Sequence, residues 1–294
     1  MIDNSFSRDA AGRLVVPVWP ANAPGAPANP PTEVEVSEHE HTVAGRPVVC
    51  LANVSQPTLT VFPPQGENTG TAVMVFPGGG YRVLAWDIEG TEACEWLSSL
   101  GITGLLLKYR VPGTGPYPTS SAALQDAQRA MGVVRAHANE WKIDPKRVGV
   151  LGFSAGALLA AALGSHFGER FYAPLDAADE LSCRPDFSVL IYPGYLALNE
   201  QNFALNPAIK PFADTPPTYL MQTADDPVCV ENAVVYFMAL KEAMVPADLH
   251  VYAQGGHAYG LRSTGLPVAA WPESVAAWLR SIEVLRAQTP VTTH

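Results

Sequence analysis

Arg147-Val148-Gly149-Val150-Leu151-Gly152-Phe153-Ser154-Ala155-Gly156 is the stretch of this 294-residue chain on which the fold turns. Its last five residues fit Gly-x-Ser-x-Gly, the pattern that sets a serine on a sharp turn between a buried strand and a helix. The flanks agree with that reading. The apolar run ahead of the motif suits a buried strand, and Ala157-Leu158-Leu159-Ala160-Ala161-Ala162-Leu163 behind it is a strong helix former. Small residues at 152 and 156 let strand and helix approach closely. Ser154 then projects its hydroxyl at the top of a sheet, above the positive end of the following helix, as a candidate nucleophile.

A nucleophilic serine implies a second motif, because an attacked carbonyl becomes an oxyanion that needs donors already aimed at it. Thr71-Ala72-Val73-Met74-Val75-Phe76 reads as a buried strand and runs into Pro77-Gly78-Gly79-Gly80-Tyr81. Three glycines leave the backbone bare, so its amides can face a substrate. The loop resembles the Gly-rich oxyanion loop of esterases and lipases, with Pro77 where many of them carry histidine. The amides of Gly79 or Gly80, together with that of Ala155, are the expected donors. Tyr81 and Trp86 are candidate substrate-binding walls, or else pack this loop onto the core.

An alkyl hydroxyl is a poor nucleophile at neutral pH, so Ser154 needs a base and the base needs an orienting acid. Of seven histidines, His257 stands in a glycine-rich loop, Gln254-Gly255-Gly256-His257-Ala258-Tyr259-Gly260, just after a strand-like run. His250 is expected on a sheet surface, and His137 and His166 in helical, structural contexts. His39 and His41 alternate along Glu38-His39-Glu40-His41 and could share a strand face toward a metal, but a solvated strand is the simpler reading, and no metal is expected. The acid is expected between Ser154 and His257, where Thr218-Tyr219-Leu220-Met221-Gln222 ends at Thr223-Ala224-Asp225-Asp226-Pro227-Val228. Chemistry alone does not choose between Asp225 and Asp226; the unchosen one could cap the helix beginning near Glu231. Asp87 is similarly expected to cap a helix starting near Glu89.

Strand candidates near 58–62, 72–76, 102–107, 147–152, 187–192, 218–222 and 248–253 alternate with helical stretches near 89–100, 120–141, 155–165, 229–243 and 272–286. Such alternation implies an α/β fold with a mostly parallel sheet covered on both faces. Ligands bind beyond the carboxyl ends of such strands, where all four motifs fall. Residues 1–45, rich in Pro and Ala over 17–32, read as an irregular amino-terminal arm, and 46–288 as a single catalytic domain. Asp126, Arg129 and Arg135 read as a solvated or ion-paired helix face. Segments 166–186 and 194–217 are less regular and could wall a pocket without forming a large cap.

Composition fits a soluble enzyme. Apolar residues make up 48% of the chain, and no uninterrupted run approaches the ~18–20 residues that span a bilayer. A net charge of −10 argues against nucleic acid or anionic membranes as partners. The four cysteines show no Cys-x-x-Cys spacing and read as reduced thiols. Met1-Ile2-Asp3-Asn4-Ser5 lacks the regions of a secretion signal, so a cytoplasmic location is the default expectation, and a secreted or periplasmic one follows if a signal was removed.

These motifs together resemble the α/β-hydrolase family that includes acetyl xylan esterases and related feruloyl or carbohydrate esterases. The likeness extends over most of residues 17–280. It includes Trp19-Pro20, Pro57-Thr58-Leu59-Thr60-Val61, Leu84-Ala85-Trp86-Asp87-Ile88-Glu89-Gly90, Leu107-Lys108-Tyr109-Arg110-Val111-Pro112 and Gln125-Asp126-Ala127-Gln128-Arg129-Ala130. The esterase pattern of Asp followed two residues later by Val favours Asp226. Gln222 stands where the family often has histidine, and Val230 where proline is common. The resemblance implies removal of acetyl or similar small acyl groups from plant poly- or oligosaccharide through a Ser154–His257–Asp226 triad, with no cofactor. The alternatives are a short-chain carboxylesterase or feruloyl esterase, a serine peptidase, a dienelactone-type hydrolase (which commonly uses cysteine) and an inactive carbohydrate-binding module.

Overall fold

The computed structural model describes residues 6–113 and 115–285, without the side chains of 38–41. A nine-stranded sheet runs in the spatial order Ser7–Arg8, Leu14–Pro17, Thr58–Phe62, Thr103–Lys108, Ala72–Phe76, Val148–Phe153, Ser188–Ile191, Thr218–Thr223, Ala247–Tyr252. The last six are mutually parallel, and the first three add antiparallel strands at one edge.

The central strands are apolar throughout because both faces are covered. Their alternate residues enter two different cores. Ala72, Met74 and Phe76 join one, with Val148 and Val150 beside them; Val73 and Val75 point the opposite way, with Leu151 and Phe153. Helices α2 (Ala122–Ala136), α3 (Ala155–Ser165) and α4 (Glu231–Glu242) supply buried residues to the first core. Helices α1 (Glu92–Ser99) and α5 (Trp271–Ser281) supply the second. All seven expected strands and five expected helices are present. A stretch of π-helix, Asp87–Thr91, leads into α1.

The irregular arm expected over 1–45 is corrected in two places. Leu14–Pro17 pairs with Thr58–Phe62 in the main sheet, and Val34–Val43 forms a hairpin with Arg46–Ala52. Ala44 and Gly45 make the two-residue turn at φ 50° and 73°, the left-handed pair that suits a hairpin's twist. Val83–Ala85 completes this second, three-stranded sheet. His39 and His41 lie on its first strand, but the metal question falls on side chains outside the described residues.

The Asp126/Arg129 face is ion-paired but not solvated. Asp126 is fully buried, bonded to Arg110 at 2.9 Å and to the indole of Trp19 at 2.8 Å. Arg129 bridges Asp176 and Asp179 and donates to the Val18 carbonyl, while Arg110 reaches the Pro24 carbonyl. These buried charges fasten the stretch around Trp19 to the body. Arg135, nearer the surface, pairs with Asp186. Among the described residues no helix is long and apolar enough to cross a membrane.

Candidate active site

Ser154 sits between the strand Val148–Phe153 and α3 with φ 50° and ψ −116°, a conformation costly for a residue with a side chain. Its neighbours make the turn possible. A β-carbon on Gly152 would strike the backbone of Gly156, and one on Gly156 would strike the carbonyl oxygens of Phe76 and Pro77. The Ser154 amide donates to the Ile191 carbonyl at 3.0 Å, and its own carbonyl accepts from Gly194 at 3.2 Å, so the elbow is pinned to the adjacent strand end.

Ser154 Oγ lies 2.8 Å from His257 Nε2, and His257 Nδ1 lies 2.8 Å from Asp226 Oδ2. Asp226 is buried, and it also accepts from Gln222 Nε2 at 3.1 Å and the Val228 amide at 2.7 Å. The residue standing in place of the family's usual histidine thus orients the acid. Asp225 points elsewhere. It is exposed and accepts from the amides of Gly256 and Gly255, and the Gly256 amide above all holds its carboxyl below the usual range. It braces the His257 loop and does not cap α4, whose N-cap is Val230.

The glycine loop lies against the serine, with a β-carbon placed on Gly78 falling 2.8 Å from Ser154 Cβ. The Gly78 amide donates to Glu89 at 2.7 Å. Among the described residues the amides of Gly79 and Gly80 donate to no acceptor within the chain, and that of Ala155 opens α3, where no intrahelical acceptor exists. Gly79 adopts φ 121°, which any β-carbon would obstruct. The unexpected small sheet fixes this loop from outside. The Gly79 carbonyl accepts from Arg82 and Val83, and the Gly78 carbonyl from Ala85, on the strand Val83–Ala85.

Glu89 carries a part that sequence reasoning did not assign. It is 1% exposed, accepts from Gly78 on one oxygen and from the Tyr192 hydroxyl at 2.8 Å on the other, and burial raises its pKa above the ordinary glutamate value. Tyr192 in turn packs edge-on against the His257 ring, centroids 4.9 Å apart. One buried carboxylate therefore braces both the glycine loop and the wall behind the histidine. The block Trp86-Asp87-Ile88-Glu89-Gly90 was the only signal for it.

Tyr81 and Trp86 occupy packing positions. Tyr81 is 3% exposed beside Tyr109 and Tyr195, and half-buried Trp86 touches both cores. Asp87 accepts from the Val49 amide and pairs with Arg262, so it ties the small sheet to the body and is not primarily a helix cap. His250 stacks on Tyr219, whereas His137 and His166 end α2 and α3. The segment from 194 onward does wall a cavity, with residues 116–119 opposite. Among the described residues no three His, Cys, Asp or Glu side chains are grouped as a metal ion would need.

A family model described as the alpha/beta hydrolase fold matches residues 73–206. The crystal structure of an acetyl ester-xyloside bifunctional hydrolase from Caldicellulosiruptor lactoaceticus is 31% identical, with a TM-score of 0.72 over 96% of this chain and 100% of that one. An acetylxylan esterase of Xylanibacter ruminicola is 26% identical over 258 residues, 79% of this chain and 50% of that protein. An endo-1,4-beta-xylanase B of Butyrivibrio fibrisolvens is 30% identical over 205 residues, 63% of this chain and 32% of that protein. The chain thus spans half, or less, of the length of these two curated relatives.

Proposed function

The chain belongs to the alpha/beta hydrolase family, and from that premise we propose that it is a serine carboxylic-ester hydrolase removing acetyl or similar small acyl groups from xylan-type poly- or oligosaccharides. The observation that carries the chemistry is the continuous chain of contacts from Ser154 Oγ through His257 to buried Asp226, each 2.8 Å long. The relatives named for acetylxylan and acetyl ester-xyloside hydrolysis support the choice of substrate.

In this reading His257 Nε2 takes the Ser154 proton as the oxygen attacks the ester carbonyl, and Asp226 holds the ring in the required tautomer. The amides of Ala155 and of Gly79 or Gly80 receive the developing oxyanion; one such donor contributes about 3–4 kcal/mol to the transition state. The imidazolium then protonates the leaving alcohol oxygen. Water repeats the sequence on the acyl-serine, releasing the carboxylic acid and restoring Ser154.

The test is acetate release from acetylated xylo-oligosaccharides beside p-nitrophenyl acetate and butyrate, with wild type and Ser154→Ala. Release from the sugar that vanishes in Ser154→Ala is the expected result. Turnover of the phenyl esters alone would leave a short-chain carboxylesterase, and full activity in Ser154→Ala would overturn the nucleophile itself.

A further inference from the structure

Resting on that reading, we propose that the cavity between residues 116–119 and 195–201, about 560 Å³, is the subsite for the sugar ring of the leaving alcohol, with Tyr195 as its aromatic platform and Asn199 and Glu200 at its hydroxyl-binding rim.

Three contacts connect this cavity to the backbone and the acid that frame the triad. Gly194, the residue before Tyr195, donates to the Ser154 carbonyl at 3.2 Å. The Tyr195 hydroxyl lies 3.6 Å from where a β-carbon on Gly80 would stand, so the ring bridges the glycine loop and the cavity. Val228, which also lines the cavity, gives its amide to Asp226 at 2.7 Å. A group entering here therefore adjoins the triad.

The lining divides into residues that build and residues that face outward. Asn232 is buried and uses its whole amide on backbone: Oδ1 accepts from Leu196 and Ala197, and Nδ2 donates to the carbonyls of Val228 and Cys229. Asn206, also buried, donates to the Tyr195 carbonyl and accepts from Ala208. Between them they hold Tyr195 at φ 64°, a backbone state that a tyrosine adopts only when its surroundings impose it. The imposed geometry keeps Tyr195 43% exposed, whereas Tyr81, Tyr109 and Tyr192 around the same site are buried. Asn199 and Glu200 are exposed at the rim.

Size and chemistry exclude the acyl half of a small ester as the occupant. An acetyl group fills a small fraction of such a volume, which lies in the range of pockets that enclose ligands of many atoms. A long alkyl chain would make no hydrogen bond to Asn199, Glu200 or Gln201 at the rim. A pyranose satisfies both demands, since its C–H face rests on an aromatic ring and its hydroxyls bond to amide and carboxylate groups.

The experiment has two arms. In the first, kcat and KM are measured on acetylated xylo-oligosaccharide and on p-nitrophenyl acetate for wild type, Tyr195→Ala and Glu200→Ala. The ratio of kcat/KM for the sugar ester to that for the phenyl ester is expected to fall about tenfold through KM, the size of one or two lost contacts. An unchanged ratio overturns the subsite. In the second, binding of deacetylated xylo-oligosaccharide to Ser154→Ala is measured by calorimetry and compared with Ser154→Ala/Glu200→Ala. Weaker binding by the double variant is expected, and equal binding, or none by either protein, overturns the subsite. Failure of the function alone looks different. The wild type then releases no acetate from the sugar, while Ser154→Ala still binds the oligosaccharide and the double variant binds it less.

Discussion

Asp226→Asn tests the orientation of His257 at a position where the hydrogen-bond count leaves no escape. Oδ2 of Asp226 accepts from His257 Nδ1 at 2.8 Å and from Gln222 Nε2 at 3.1 Å, and Oδ1 accepts from the Val228 amide at 2.7 Å. Three donors converge on two oxygens in a site 5% exposed, and asparagine has only one oxygen to offer. If that oxygen faces Val228, the new NH2 confronts both Gln222 and His257. The ring must then accept at Nδ1 and carry its proton on Nε2, where it can no longer take the serine proton. If the oxygen faces His257, the NH2 confronts the buried Val228 N–H. In the first arrangement Gln222 does not relieve the clash by turning over, because its Oε1 accepts from the Ala233 amide. The wrong tautomer in a Ser-His-acid triad costs about 10,000-fold in kcat, or about 5 kcal/mol. Asp225→Asn disturbs only exposed contacts to Gly255 and Gly256 and should cost no more than about tenfold. The assay is p-nitrophenyl acetate hydrolysis across pH, with circular dichroism to confirm folding. Asp226→Asn within tenfold of wild type, or Asp225→Asn the weaker enzyme, would refute the argument.

Gly156→Ala drives a methyl into the carbonyls of Phe76 and Pro77 and should cost about 3 kcal/mol or more; a melting temperature equal to that of Gly168→Ala, where nothing lies within 4 Å, would contradict it. Glu89, its pKa raised by burial, contributes most to stability while neutral, and that contribution is lost as pH rises from below the ordinary glutamate value through the raised one. Glu89→Gln carries no such titration, so in urea unfolding the wild type should lose ground to it as pH rises upward from the ordinary glutamate range, and a constant difference would sink the reasoning. Arg110→Ala strands the buried Asp126 carboxylate and frees the Pro24 carbonyl. A loss of about 3–5 kcal/mol in chemical denaturation is expected, and a loss under about 1 kcal/mol would show that the pair does not hold the fold.

The sequence was most legible where chemistry and periodicity act locally. The Ser154 elbow is read from ten adjacent residues, and the central strands from apolar runs that only a doubly covered sheet requires. The choice of Asp226 over Asp225 needed the family pattern, because adjacent carboxylates differ only in which way the backbone turns them. The sequence suggests a strand only over residues 38–41 and not the whole of Val34–Val43, because Val34 and Val36 alternate with Glu and Ser and stay exposed, leaving no strong core signal. Leu14–Pro17 is short and ends in proline, an edge-strand composition. Glu89 was invisible for a different reason: its partners Gly78 and Tyr192 lie 11 and 103 residues away, so no local pattern encodes their meeting.

The order of the strands across the sheet has a consequence for how the protein is made. From Val148–Phe153 outward, Ser188–Ile191, Thr218–Thr223 and Ala247–Tyr252 are added in the order in which a ribosome delivers them. The strands on either side of the serine strand, Ala72–Phe76 and Ser188–Ile191, are synthesised well before His257. The serine's base is thus delivered after every strand of the sheet, and the triad is complete only when the loop after the final strand docks.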